Sequence, residues 1–201
     1  MSKRRYTLKQ RAESQEETRR RIVEATARLH EELGPRDTTI SAIAQEAGVQ
    51  RLTVYRHFPD EKELFKACTS HWLALNSPPE PAAWSNRDGL ARVREALFEL
   101  YRYYRRTERM WTASYRDEAD VPALQKPMRQ FRNYLAGIVD DLSVHLEPEV
   151  DITARRRATL AHAVQLHTWQ SLARQGIGDA SMADLVCDWI YSAGRAEQSV
   201  A

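Results

Sequence analysis

Over residues 15–33 the inward positions recur as Ile22, Val23, Ala25, Thr26, Leu29 and Leu33, one stripe at helical spacing with charge around it. Gly34-Pro35 ends this predicted helix. Thr38 or Thr39 is placed to cap a second helix reaching Ala47, with Ile40, Ile43 and Ala44 turned inward. Gly48 then supplies the permissive backbone of a tight turn. A third, short helix is expected over 50–57, with Leu52 or Val54 as its apolar contact. Asp60, followed by Glu63 three residues on, is a capping-box-like start for a fourth helix running to about residue 75.

The stretch NSPPEPAAWSN (76–86) holds three prolines and excludes a continuous helix, so a domain boundary is placed there. Beyond it the period is again helical. Residues 88–107 carry Leu90, Val93, Leu97, Leu100, Tyr101 and Tyr104 on one broad face, and a separate short piece is expected over 108–115. Residues 122–146 carry Leu124, Met128, Phe131, Leu135, Ile138, Val139 and Leu142, and Pro148 ends that helix. Two more helices are expected over 153–175 and 182–196, separated by GIGDAS. No strand alternation or internal repeat is visible. The pattern therefore predicts an all-α protein. It has a basic arm (1–14), a three-helix helix-turn-helix domain (15–59), a connecting helix (60–76) and a helical C-terminal domain (77–201).

Composition narrows the function classes. The chain has 201 residues, 42% hydrophobic and 29% charged, with 7 glycines and 8 prolines, which suits one or two folded domains and favours helix. A net charge of +2 is too mild to announce nucleic acid, but its placement is uneven. Lys3, Arg4, Arg5, Lys9 and Arg11 form an acid-free start, either a solvated tail or an arm toward phosphates or the minor groove. Cys68 and Cys187 lie far apart and no CxxC occurs, so no metal is expected. His162 and His167 are five apart and do not share a helical face. With no secretory leader and no 18-residue apolar run, a cytoplasmic protein without a membrane partner is expected.

The chemistry concentrates on the third helix. In a helix-turn-helix the second helix lies in the DNA major groove, which explains a polar run on so short an element. Arg51 can fork onto guanine O6 and N7, Gln50 can pair with adenine or reach phosphate, and Thr53 can offer a methyl to thymine and a hydroxyl to phosphate. Tyr55, Arg56 and His57 suit phosphate oxygens, which fix register without reading sequence. Thr39 and Ser41 can anchor the backbone beside the opposite groove wall. The competing class is an all-α enzyme, yet no phosphate-cradling glycine loop, G-x-S-x-G elbow or HExxH motif occurs. Asp140 and Asp141 are adjacent and diverge by about 100° on a helix, so they make no acid–base pair. RDEAD (116–120) reads as a solvated loop cap. No cofactor is implied. An architectural DNA-binding protein without ligand control remains the second alternative.

These residues resemble a known family. The stretch TISAIAQEAGVQRLTVYRHFPDEKELF, with Thr39, Ile43-Ala44, Ala47-Gly48-Val49, Tyr55-x-His57-Phe58 and Leu64-Phe65, is similar to the DNA-binding domain of the TetR family of transcriptional regulators, and the likeness covers about residues 16–74. HTWQSLARQG (167–176) more loosely resembles a segment of some TetR-like C-terminal domains. One departure is that the family's lysine three residues after the phenylalanine is Glu61 here, so its phosphate contact moves to Lys62 or is missing. The resemblance implies an all-helical homodimer of about nine helices on a double-stranded, inverted-repeat operator. It also implies a C-terminal domain that takes a small-molecule effector, and a connecting helix that transmits the signal, most often in a repressor. The positions falling around such a pocket are Tyr101, Tyr104, Met110, Trp111, Tyr115, Phe131, Tyr134, His162, Leu166 and Trp169. The dimer seam expected from the last two helices draws on Leu160, Val164, His167, Leu185, Val186, Trp189 and Ile190.

Overall fold

The computed structural model describes residues 2–146 and 154–198, with side chains over 10–146 and 154–193. Nine α-helices and no strand occur among the described residues. The helices are α1 (Ser2–Glu32), α2 (Ile40–Glu46), α3 (Arg51–His57), α4 (Glu61–Leu75), α5 (Gly89–Asp117), α6 (Gln125–His145), α7 (Ala154–Ala163), α8 (Leu166–Ala173) and α9 (Asp179–Gln198). Short 3-10 turns occupy Pro81–Trp84 and Pro122–Leu124. Two compact units result. One contains the chain through Ser77 together with Thr112–Met128; the other contains Pro78–Trp111 and the chain from Arg129 onward. Residues 112–128 thus pack with the N-terminal unit, which the linear division at residue 77 did not anticipate.

The N-terminal unit is organised by α1. Ile22, Ala25 and Leu29 meet Ile43, Ala44 and Ala47 of α2, Val54 of α3, Phe58, and Leu64 of α4 in one buried cluster. Burying side chains of this size stabilises by about 1.5–3 kcal/mol each. The predicted caps are present. Thr39 Oγ1 accepts from the Ala42 amide at 3.2 Å, and Asp60 Oδ1 from the Glu63 amide at 2.7 Å. These satisfy N–H groups that a helix start leaves without partners. Of the two inward candidates on α3, Val54 is fully buried and Leu52 is 69% exposed.

The α1–α2 loop is tied to the end of α5. Asp117 is buried and accepts from Arg116 Nε at 2.7 Å and from the Arg36 amide at 3.1 Å. Arg116 Nη2 also donates to the Leu33 carbonyl at 2.7 Å. The Arg116 guanidinium, with the Arg36 amide, holds the Asp117 carboxyl below the usual carboxylate range. Gly34 sits at φ +94°, and a Cβ there would overlap both Arg116 and Asp117. Glycine is required at this point on both counts.

In the C-terminal unit α5, α6 and α7 bury Val93, Leu97, Leu100, Leu135, Ile138, Leu142 and Leu160, and α7 packs on α9. Two Arg–Asp–Trp groups brace it. Arg92 is bidentate on Asp141 at 2.8 and 3.1 Å while Trp84 Nε1 donates to the same carboxylate at 3.0 Å. Arg105 grips Asp179 twice at 2.8 Å, and Trp169 Nε1 donates to it at 3.2 Å. Two charge-assisted forks with a third donor satisfy carboxylates that partial burial would otherwise penalise.

Several expected boundaries are corrected. α1 begins at Ser2, so the basic arm is a continuation of that helix rather than a separate element; the side chains of Lys3, Arg4, Arg5 and Lys9 lie outside the described residues. α5 is continuous through 108–115, because the buried Thr107 hydroxyl donates to the Tyr103 carbonyl at 2.6 Å and stays inside the helix. The single helix expected over 153–175 is α7 and α8, broken at Val164-Gln165. At the break three side-chain hydroxyls take three successive carbonyls: Thr168 that of His162 at 2.6 Å, Tyr101 that of Ala163 at 3.0 Å, and Tyr104 that of Val164 at 2.6 Å. The break expected at Pro148 lies outside the described residues.

Candidate nucleic-acid interface

The α3 helix turns two faces to two environments. Val54 is buried against the unit's core, and Thr53 and His57, four residues apart, sit half-buried at its edge. Arg51, Leu52, Tyr55 and Arg56 occupy the opposite, exposed face at i, i+1, i+4 and i+5 spacing. Gln50 stands at the N-cap with its amide making no cap hydrogen bond, and it is exposed. An outward guanidinium pair, a phenol, an amide and a leucine side chain together offer forks for base edges, donors for phosphate and an apolar surface for a thymine methyl. The sequence reading missed Leu52 as part of this face, because in a seven-residue helix the period does not decide between 52 and 54.

The approach to α3 is fixed from α1 by three arginines. The Arg21 guanidinium donates to the Ala47 carbonyl, with Nε at 3.2 Å, and Nη2 reaches the Gly48 carbonyl at 3.1 Å. Gly48 takes φ +64° in this turn. Arg28 Nε pairs with Glu46 Oε1 at 2.9 Å at the end of α2. Arg19 lies 4.1 Å over the Phe58 ring, directly after α3, a cation–π contact. His57 has its pKa lowered by partial burial first and by Arg56 and Arg19 next, so it meets the solvent as a neutral ring at physiological pH.

Thr39 and Ser41 are exposed at the start of α2, and Lys62 is exposed on the first turn of α4. The Thr39 oxygen serves as the cap acceptor, which leaves its O–H free to rotate toward a phosphate.

The positions assigned to an effector pocket separate into three groups. Tyr104, Trp111, Phe131, Tyr134 and Trp169 form one aromatic cluster in the C-terminal unit. Trp111 is stacked on Phe131 at 3.7 Å, Phe131 lies 5.8 Å from Tyr134, and Tyr104 lies 6.0 Å from Trp169. Tyr101, Met110 and Leu166 are buried in the same unit. Tyr115 belongs to the other unit, and His162 is exposed on α7. The sequence reading missed Tyr103, which is fully buried and accepts from Trp111 Nε1 at 3.0 Å. The cue was present in the unbroken apolar width of α5, since Leu100, Tyr101, Tyr103 and Tyr104 are all buried. The polar tips point inward as well. Besides the Tyr101 and Tyr104 bonds at the α7–α8 break, the Tyr134 hydroxyl donates to the Pro79 carbonyl at 2.6 Å. Burial pushes the Tyr101, Tyr103 and Tyr134 phenols above their ordinary pKa.

The expected dimer positions also divide. Leu160, Val164, Val186 and Ile190 have no exposed surface within a single chain, because α7 and α9 pack on each other and use these side chains as core. They are corrected to core positions. His167 and Trp189 are exposed and Leu185 is half-buried; Tyr191, not anticipated, is 49% exposed. Cys68 is buried, Cys187 is half-buried, and both are free thiols.

Residues 22–68 match a family described as "Bacterial regulatory proteins, tetR family". The chain is 38% identical over 68 residues to the HTH-type transcriptional regulator SrpR of Pseudomonas putida, and that match spans 32% of each chain, about a third of the relative's length. A TetR-like transcriptional regulator from Rhodococcus sp. RHA1 superposes with a TM-score of 0.61 at 17% identity, over 87% of this chain and 93% of that one. A TetR family transcription regulator from Marinobacter aquaeolei VT8 gives 0.59 at 16% identity, over 90% and 97%. These two likenesses carry the fold across both units, and the sequence matches lie at the helix-turn-helix.

Proposed function

We propose that the chain, whose residues 22–68 match the tetR family of bacterial regulatory proteins and whose fold is that of TetR-like regulators, is a ligand-released repressor that binds an inverted-repeat operator as a homodimer. The observation that carries this reading is the outward face of α3: Arg51, Leu52, Tyr55 and Arg56 stand exposed on a helix whose back is buried and whose approach is held by Arg19, Arg21 and Arg28. Arg51 is the base-reading fork and Gln50 its neighbour at the groove edge. Leu52 supplies an apolar contact for a thymine methyl. Tyr55, Arg56, Thr53 and His57 contact the sugar-phosphate backbone, with Thr39, Ser41 and Lys62 flanking them.

Dimerisation is assigned to α8 and α9, where His167, Trp189 and Tyr191 are exposed and Leu185 is half-buried. Leu185 and Trp189, four residues apart, share one face of α9, and tryptophan is a residue type that concentrates binding energy at interfaces. A two-fold axis there would present two α3 helices to half-sites about one helical turn apart, roughly 34–36 Å or somewhat more. The effector is assigned to the C-terminal unit beside the Tyr104–Trp111–Phe131–Trp169 cluster, where aromatic walls suit a mostly apolar small molecule. No described helix is long and apolar enough to cross a membrane.

Selection of random duplex DNA by the purified chain at two salt concentrations tests the reading. Recovery of an inverted repeat that persists as salt rises is expected. Recovery of no motif, with binding that collapses as salt rises, would instead mean sequence-blind, architectural binding.

A further inference from the structure

We propose that the N-terminal unit carries a small-molecule site of its own, a cleft walled by α1, α2, α4 and the turn at 121–123 that takes an uncharged, mostly apolar compound of one or two rings bearing one hydrogen-bond-accepting oxygen. The cleft has a volume of about 460 Å³, within the range of small-molecule sites. Its walls are Ile40, Ile43, Leu64, Phe65, Val121 and Ala123. It lies wholly within the helix-turn-helix unit and is separate from the aromatic cluster assigned to the effector.

Few polar groups face this space, and most are already committed. The Thr26 hydroxyl donates to the Ile22 carbonyl at 2.8 Å, and the Thr38 hydroxyl to the Gly34 carbonyl at 2.8 Å. His30 is different. The residue is 7% exposed, and Nδ1 lies 3.7 Å from Cys68 Sγ, which leaves Nε2 as the ring nitrogen not engaged by the thiol. Burial pushes the Cys68 thiol up to about 12 and the His30 ring down to about 4, so both are uncharged at physiological pH. With the thiol S–H donating to Nδ1, the tautomer the proposal adopts, Nε2 carries the ring proton. In that tautomer the cleft holds one N–H donor in its inner wall.

The charged lining residues decide the ligand's charge. Glu61 and Lys62 are both exposed at the rim and carry opposite signs, so neither an anion nor a cation gains a net partner. Apolar walls around a neutral imidazole penalise either charge by desolvation. An uncharged molecule with a carbonyl or ether oxygen satisfies Nε2–H and buries its rings against Ile43, Leu64 and Phe65. Bound there, it would bridge α1, α2 and α4.

Isoleucine methyl NMR on the full chain, without DNA, tests the site. Ile40 and Ile43 line the cleft, while Ile138 and Ile190 report on the C-terminal unit. The probes are a matched series: 4-phenyl-2-butanone, 4-phenylbutyrate and 4-phenylbutylamine. The ketone should move the Ile40 and Ile43 methyls saturably, with Ile138 and Ile190 unmoved, and both charged analogues should bind at least about ten-fold more weakly. Ala123→Phe, which fills the cleft, should abolish the effect, and His30→Phe should weaken it several-fold. Both variants are checked for native dispersion through the Ile22 methyl. No shift at Ile40 and Ile43, equal binding by a charged analogue, or a response undiminished in folded Ala123→Phe or His30→Phe would each overturn the proposal. None of these outcomes bears on DNA recognition, which is measured separately.

Discussion

Arg21 on α1 holds the carbonyl of Ala47, the residue that closes α2, and through the same guanidinium it reaches Gly48. A cation at a helix C-terminus satisfies carbonyls that have no intrahelical donor. Here it also fixes the turn that aims α3. Arg21→Ala is expected to cost about 1 kcal/mol in chemical denaturation, since the group is partly solvated. The loss in operator affinity should be larger than that, because α3 then samples orientations that do not fit the groove. Arg21→Lys, which keeps the charge but not the fork, should fall between the two. Equal operator affinity for Arg21→Ala and the parent chain would remove the positioning role.

The elements legible in the sequence were those written in local chemistry. Thr39 and Asp60 announce their helices because each supplies an oxygen to an amide three residues on. Gly34 and Gly48 mark turns that need positive φ. What was not legible is made by distant partners. No glycine or proline marks the α7–α8 break at Val164-Gln165; hydroxyls from Tyr101 and Tyr104, some sixty residues away, take the carbonyls that a continuous helix would use. A helix end was expected at Thr107, yet Thr107 is buried and bonded within α5. The same limit applied to sites. Exposure of α3 followed from its polar run, whereas Leu160 and Ile190 could be told from seam residues only once α7 was seen to pack on α9.

His30 makes stability pH-dependent in a stated direction. Burial lowers its pKa from 6.5 to about 4, so the unfolded chain binds a proton that the folded chain refuses. The fold therefore loses stability as pH falls from about 6.5 toward 4, by up to about 3 kcal/mol from this group. His30→Phe should flatten that part of the profile in denaturation at stepped pH. A parent and variant with parallel profiles between pH 7 and 4.5 would contradict the assignment.

Gly34→Ala meets two obstacles at once. The left-handed backbone costs an L-residue about 1–2 kcal/mol, and the new methyl displaces Arg116 from Asp117. A loss of more than about 2 kcal/mol is expected, since Asp117 is left buried with fewer donors. Thermal unfolding at neutral pH measures it, and an unchanged midpoint would mean the loop accommodates the side chain elsewhere.

Lys62 occupies the place next to Glu61 and is exposed on α4. If it meets a phosphate, Lys62→Ala should weaken binding to every duplex alike and reduce the slope of log affinity against log salt by about 1 per contact. An unchanged slope would leave Glu61 and Lys62 as rim residues of the neighbouring cleft alone.

The central claim is that the outward face of α3 reads DNA sequence, and affinity of Arg51→Ala for a selected operator and its single-base variants tests it most directly. The account predicts that the parent chain discriminates at a symmetry-related pair of positions by about 1–3 kcal/mol, and that Arg51→Ala loses that discrimination there while keeping it elsewhere. An Arg51→Ala protein that ranks every operator variant as the parent does would contradict the account.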